Sequence, residues 1–352
     1  MNNNIPTRDS NMELYRIIAM FMVIFFHVFG EIDLLNNELF SNKFELKNYI
    51  NLLFTSATFI CVDMFVLLSG WYGINTKWNK IKAYIFQVLF YSVSIYVIML
   101  LYCQPVQFSW KYLIHIFILD DYWFVPVYLM LYIFAPAINP FIRKSNNKEI
   151  LTLLLSVITI QSIYGWINYR ESGYMEGCSP ISFLILYILG AYLQRMTSYF
   201  NNISKKKIFI CYISLILLNW IIAVVAKLLH NELLSNIAWQ FSSPITIMAA
   251  ACILLIFSKI NIGYNKIINK IAASSFAAFL IHCFPLFYEQ IFSETIIEIV
   301  SKYSYALALV ILILLVFIFY AISILIDQIR IFIYNKINLS SISSHILSNY
   351  LK

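Results

Sequence analysis

The sequence predicts an all-α polytopic membrane protein with about ten transmembrane helices and both the N- and C-termini in the cytosol. Three observations carry this expectation. The 352 residues are 61% hydrophobic and 12% charged, with a mean hydropathy of +0.78, whereas a soluble domain carries about 25% charge. The apolar runs are long and continuous, as helices require, with no barrel-like alternation. Lysine and arginine, finally, concentrate in alternate inter-span segments.

In chain order the spans are expected at about 11–30, 50–71, 83–103, 122–138, 150–167, 181–194, 208–228, 241–258, 271–291 and 304–326, lengths that suit a hydrocarbon core of roughly 30 Å. The first contains Arg16 and is followed by no small-residue cleavage site, so it reads as a retained span. The 181–194 run is the shortest. Residues 108–119 are apolar but brief and run into Asp120-Asp121, which suggests an interfacial or re-entrant piece. The longest loop, 31–49, is polar and faces out. Residues 1–330 form a single membrane domain, and the Ser/Asn-rich 331–352 a cytosolic tail. The 25 Tyr and 29 Phe suit lipid-facing surfaces and interfacial belts.

Charge orients the chain. With the N-terminus inside, the inner segments carry Arg8, Lys77, Lys80, Lys82, Arg143, Lys144, Lys148, Arg195, Lys205, Lys206, Lys207, Lys259, Lys266, Lys270, Arg330, Lys336 and Lys352. The outer loops hold only Lys43, Lys47, Lys111, Arg170, Lys227 and Lys302, and gather acids such as Glu31, Asp33, Asp120, Asp121, Glu176 and Glu294. This is the positive-inside pattern. The net charge of +7 therefore reflects orientation, and no basic-aromatic motif points to nucleic acid. The six cysteines show no CxxC spacing and read as packing residues, so neither a metal nor a disulfide framework is expected.

The polar groups expected inside the membrane are Arg16, His27, Asp63, His282 and Glu289. A charge at mid-span costs roughly 2.5–3.5 kcal/mol on insertion scales, so such groups must face one another or a water-filled cavity. Eleven helical residues make about three turns, which puts Arg16 and His27 on nearly one face, roughly 16 Å apart along the axis. Asp63 is expected between their levels, within reach of either. A purely structural arrangement accounts for the same residues: Arg16 snorkelling, His27 bonding a neighbouring helix, and an Asp63–Arg16 pair holding two helices together. His282 likewise reads either as a buried, backbone-satisfied residue or as part of a site.

Several stretches together carry a resemblance. Arg16, ten residues and then His27 open the chain. Asp63-Met-Phe-Val-Leu-Leu-Ser69-Gly70-Trp71 follows, then Tyr122-Trp123-Phe124-Val125-Pro126 with Tyr132 and Pro136, then Tyr187-Ile-Leu-Gly190, and last Ser274-Ser275-Phe276-Ala277-Ala278-Phe279-Leu280-Ile281-His282. In this order they resemble the motifs of the acyltransferase 3 family of bacterial integral membrane acyltransferases, over about residues 9–330. Val66 and the Phe276–Phe279 stretch depart from the usual residues, at positions that look like packing.

The resemblance implies an acyl-CoA-dependent O-acetyltransferase of the bacterial cytoplasmic membrane. It would move acetyl from acetyl-CoA, its co-substrate, to a hydroxyl of a cell-surface glycan or lipid-linked glycan precursor, without a metal. His27 is then the catalytic base or acyl carrier, as histidine is the side chain nearest neutrality without tuning. Arg16 grips the CoA moiety or orients the thioester, and Asp63 orients Arg16 or His27. Ser69, Trp123 and His282 fall to substrate binding. The Lys77/Lys80/Lys82 loop is placed to meet CoA phosphates. The competing reading is an exporter or flippase of surface polysaccharide, which would gather its polar groups around a midplane cavity between two pseudo-symmetric halves. Here they gather in the first, second and ninth spans.

Overall fold

The computed structural model describes residues 9–39, 45–103, 106–167 and 175–337. The loop charges Lys43, Arg170 and Glu171, the N-terminal Arg8 and the Ser/Asn-rich tail from 338 onward lie outside the described residues. Those residues are helical, with no β-strand among them.

The chain runs through α1 (Ser10–Leu39), α2 (Leu46–Thr58), α3 (Cys61–Tyr72), α4 (Trp78–Tyr102), the short α5 (Trp110–Ile118), α6 (Phe124–Lys144) and α7 (Asn147–Ile167). It continues with α8 (Pro180–Arg195), α9 (Thr197–Asn201), α10 (Lys205–Leu228), α11 (Glu232–Ala238) and α12 (Pro244–Ser258). The last stretch holds α13 (Lys266–Ser274), α14 (Phe276–His282), α15 (Pro285–Phe287), a π-helical turn over Tyr288–Ser293, α16 (Glu294–Lys302) and α17 (Tyr305–Ile337). Starts follow capping chemistry: the Ser109, Ser179, Ser204, Asn231 and Asn265 side chains each accept a first-turn backbone N–H.

Among the described residues seven helices are long and apolar enough to cross a membrane, α2 and α3 together making one of them, and the count is eight if the pair Lys266–His282 and Pro285–Lys302, bent by 70°, is a single broken span. The expected spans 181–194 and 241–258 are helices as well, but short ones, Pro180–Arg195 and Pro244–Ser258. The expected loop 31–49 is corrected. Helix α1 continues through Glu31 and Asp33 to Leu39, and α2 begins at Leu46. The polar residues there suggested a loop, but with no Pro or Gly after Gly30 nothing stops the helix. The final helix likewise runs on past Asp327 to Ile337. Asp327 is fully buried, bonded by Arg330, Tyr91 and Gln87.

Helix α3 is the centre of the bundle. The Leu46–Tyr72 window is 72% buried, against 22% for α17, which is peripheral. Two glycines let α3 and α8 touch backbone to backbone. A Cβ on Gly70 would overlap the Tyr187 carbonyl, and one on Gly190 the Leu67 carbonyl. Small residues permitting such approach are a recurrent means of joining helices in lipid, where apolar surface alone gives little drive. The break at Phe59–Ile60 then separates α2 from α3, and α3 packs on α1 and α12 as well as α8.

Gly70→Ala and Gly190→Ala each force the α3–α8 backbones apart. Each is expected to lower stability by about 1–3 kcal/mol, the usual cost of overpacking. The Tm of the purified protein in detergent reads this; parent-like Tm values for both would show that the contact is not needed.

Candidate active site

His27 lies three-fifths of the way along α1, and His282 is the last residue of α14, 255 positions later. Packing of α1 against α14 brings His27 Nδ1 to 3.1 Å from His282 Nε2. The other nitrogen of His282, Nδ1, is 2.6 Å from the Ala278 carbonyl oxygen one turn earlier. A carbonyl only accepts, so His282 Nδ1 must carry a proton. With both rings neutral, His282 Nε2 is then the acceptor and His27 Nδ1 the donor. The remaining lone pair of the pair sits on His27 Nε2.

His27, but not His282, lines a cavity of about 570 Å³. Its walls are largely aromatic: Phe26, Phe59, Phe65, Trp123, Phe124, Trp239, Phe241, Phe276, Phe279 and Tyr288. Three carboxylates, Glu31, Asp33 and Glu176, also line it. Trp123 and Phe241 stack with centroids 6.2 Å apart, and Phe59 stacks on Phe241 at 4.5 Å. Glu31, one turn beyond His27, accepts from Tyr288 Oη at 2.6 Å and Ser293 Oγ at 2.7 Å. An ordinary helix would set residues 288 and 293 about 140° apart; the wider π turn brings both onto one carboxylate. Asp33 is held by Lys227.

The other expected site residues are placed differently. Arg16 does not pair with Asp63. It is bonded to Glu13 at 2.7 Å, one turn back on its own helix, and Glu13 is buried. A partner three residues away on the same helix is available without any tertiary packing, which is why it wins. Asp63 is fully buried in the first turn of α3, and neither carboxylate oxygen has a hydrogen-bond partner among the described residues. The helix N-terminus favours a carboxylate there, but two unmet acceptors remain costly. Its neighbours Cys61, Val62 and Phe65 line the cavity, and Asp63 itself does not. Ser69 bonds the Phe65 carbonyl at 2.9 Å and Tyr128 Oη at 3.0 Å, outside the cavity wall. Trp123 is in that wall. Glu289, expected in the membrane, is exposed in the π turn.

Glu31 and Tyr288 were not anticipated from sequence. The i+4 spacing from His27 to Glu31 was the available signal, masked by ending the helix at residue 30. A second, larger opening of about 790 Å³ lies at the other end of α3. Gly70, Trp71, Gly73, Asn75 and Thr76 line it, with Asn139, Arg143, Tyr187 and Arg195. Tyr187 Oη bonds Asn139 at 2.6 Å and accepts from the Ile74 N–H at 2.8 Å, tying the α3–α4 turn to α6 and α8. Phe65 in the wall of the first cavity and Gly70 in that of the second are five residues apart, so about 7.5 Å of α3 separates the two openings.

No match was found among curated proteins or among solved structures. The family model described as an acyltransferase domain, acyltransferase 3, matches residues 9–328, nearly the whole chain. With its polytopic apolar helices, this chain belongs to the acyltransferase 3 family and is a membrane acyltransferase.

Proposed function

We propose that the protein transfers an acetyl group from cytosolic acetyl-CoA to a hydroxyl of a surface glycan or its lipid-linked precursor, with His27 as general base. The observation that carries this reading is the directed chain from the Ala278 carbonyl through His282 to His27, which leaves a lone pair on His27 Nε2 at the wall of a cavity. In the transfer, Nε2 takes the proton of the acceptor hydroxyl as its oxygen attacks the thioester carbonyl. The carbon–sulfur bond then breaks, and the CoA thiolate leaves and is protonated.

In this reading ten segments cross the membrane, the short helices α8 and α12 and the broken α13–α16 unit among them, with both termini in the cytosol as the lysines and arginines direct. The membrane is the bacterial cytoplasmic one. The opening near Arg143 and Arg195 then faces the cytosol and suits CoA phosphates. The aromatic cavity takes the acceptor. Trp123, Trp239 and Phe241 offer flat faces to the apolar side of a sugar ring, and carboxylates such as Glu31 accept from hydroxyls. Arg16, held by Glu13, serves the donor side. Asp63 acts from behind the wall as a positioning residue for α3, and Ser69 acts through Tyr128. His282 is a positioning residue: it sets the tautomer and orientation of His27, as the carboxylate does in hydrolase triads.

His27→Ala is expected to cut transfer by about 10²–10⁴-fold, measured as O-acetyl content of purified surface glycan at matched protein levels. Loss of acetyl with normal glycan amount supports the enzyme. Glycan that fails to reach the surface without the protein, combined with a harmless His27→Ala, would instead make it an exporter.

His282→Leu is expected to lower kcat at unchanged KM, whereas His282→Gln keeps an acceptor for His27 Nδ1–H near the position of Nε2 and recovers much of the rate. Equal loss in both would mean that His282 merely fills space.

A further inference from the structure

Cys283 follows His282 in sequence, and the helix ends between them. In an uninterrupted helix neighbouring side chains point about 100° apart. At this break Cys283 Sγ instead lies 3.3 Å from His282 Nε2 and 3.8 Å from His27 Nδ1. The three atoms thus form a triangle with sides of 3.1, 3.3 and 3.8 Å. Around a tetrahedral zinc ion, with Zn–N of about 2.0–2.1 Å and Zn–S of about 2.3 Å, two nitrogens lie about 3.4 Å apart and nitrogen and sulfur about 3.6 Å. The triangle matches that shell with shifts of a few tenths of an ångström. The second requirement of a metal site is met too: His282 Nδ1–H is tied to the Ala278 carbonyl, which leaves Nε2 as the ring nitrogen with a lone pair to give.

The geometry points to a binding site for a soft divalent cation, zinc or a chemical equivalent, formed by His27 Nδ1, His282 Nε2 and the thiolate of Cys283. The fourth position is left to water or substrate. The thiol proton leaves to solvent on binding. A thiolate with two imidazoles selects zinc, cadmium or cobalt over magnesium or calcium, which require oxygen ligands. Glu31 and Glu176 line the cavity that reaches His27 and favour cation entry, whereas the charge of Asp33 is met by Lys227.

One consequence rests on the acetyl-transfer reading. A neutral imidazole coordinated through Nδ1 must carry its proton on Nε2. The same ring therefore cannot be both ligand and base, and the cation acts as an inhibitor that locks His27 in the non-basic tautomer.

The test uses the purified full chain in detergent, stripped of metal and titrated with cobalt(II). Expected is a thiolate-to-cobalt charge-transfer band saturating at one equivalent, absent in Cys283→Ser and in His282→Leu. No band in the unmodified protein, or an equal band in Cys283→Ser, overturns the site. Transferase assays with added zinc test the consequence separately. Cys283→Ala is expected to keep the zinc-free rate and to need at least about tenfold more zinc for half-inhibition. A cobalt band without zinc inhibition would leave the metal site standing and remove His27 as the base.

Discussion

A histidine on a membrane helix cannot rely on water to satisfy its ring nitrogens, so its place in the fold is decided by whichever neighbour supplies a partner. For His27 that neighbour is His282, itself anchored on a backbone carbonyl of its own helix. The contact fixes more than a distance. Because one end of the chain is a carbonyl that can only accept, the direction of each hydrogen bond along it is determined with both rings neutral, and so is the nitrogen that keeps a free lone pair. The approach of α1 to α14, the aromatic wall of the cavity and the seating of Glu31 on the broken helix all surround that single directed link.

The helices that build the site are interrupted ones. A continuous helix from Lys266 to Lys302 would carry His282 and Cys283 on different faces and set Tyr288 and Ser293 on opposite sides. The bend of 70° and the π turn bring each pair to a common point. The interruption at Phe59–Ile60 does the same for α3, whose first turn begins beside the cavity while its far end reaches the second opening. Such breaks leave backbone groups unpaired, and in a membrane protein they are tolerated where the backbone is buried or lines a cavity. Here the cost is met at the places where side chains from distant parts of the chain must converge.

Much of the architecture was legible from sequence because a membrane imposes one dominant rule: long apolar runs become helices. Eight of the expected spans each fall on one helix, while 50–71 covers two and 271–291 a bent series of short ones. Where structure and sequence part, it is because polar residues read locally as helix ends. Glu31 and Asp33 sit inside α1 and face a cavity, and Asp327 is buried on α17 beside Arg330. The motif residues were legible as residues but not as neighbours. By helical depth Asp63 falls within reach of either Arg16 or His27, yet depth carries no information about azimuth. The structure gives Arg16 to Glu13 and leaves Asp63 behind the wall. The pairing of His27 with His282 spans 255 positions, and no local periodicity encodes it.

The cysteine next to His282 shows the same limit from the other side. Metal sites are legible in sequence when their ligands come in close pairs, as in CxxC or HxxxH, where local geometry sets the spacing. Here two ligands are adjacent and the third lies on another helix, so the spacing says nothing and only the fold brings the atoms together. The site also carries its own constraint. The nitrogen that completes the cation's shell is the one whose proton, in the cation-free state, keeps the other nitrogen basic. In the proposed transferase, proton abstraction and metal binding therefore compete through a single imidazole, and the outcome depends on which side of that ring holds the proton.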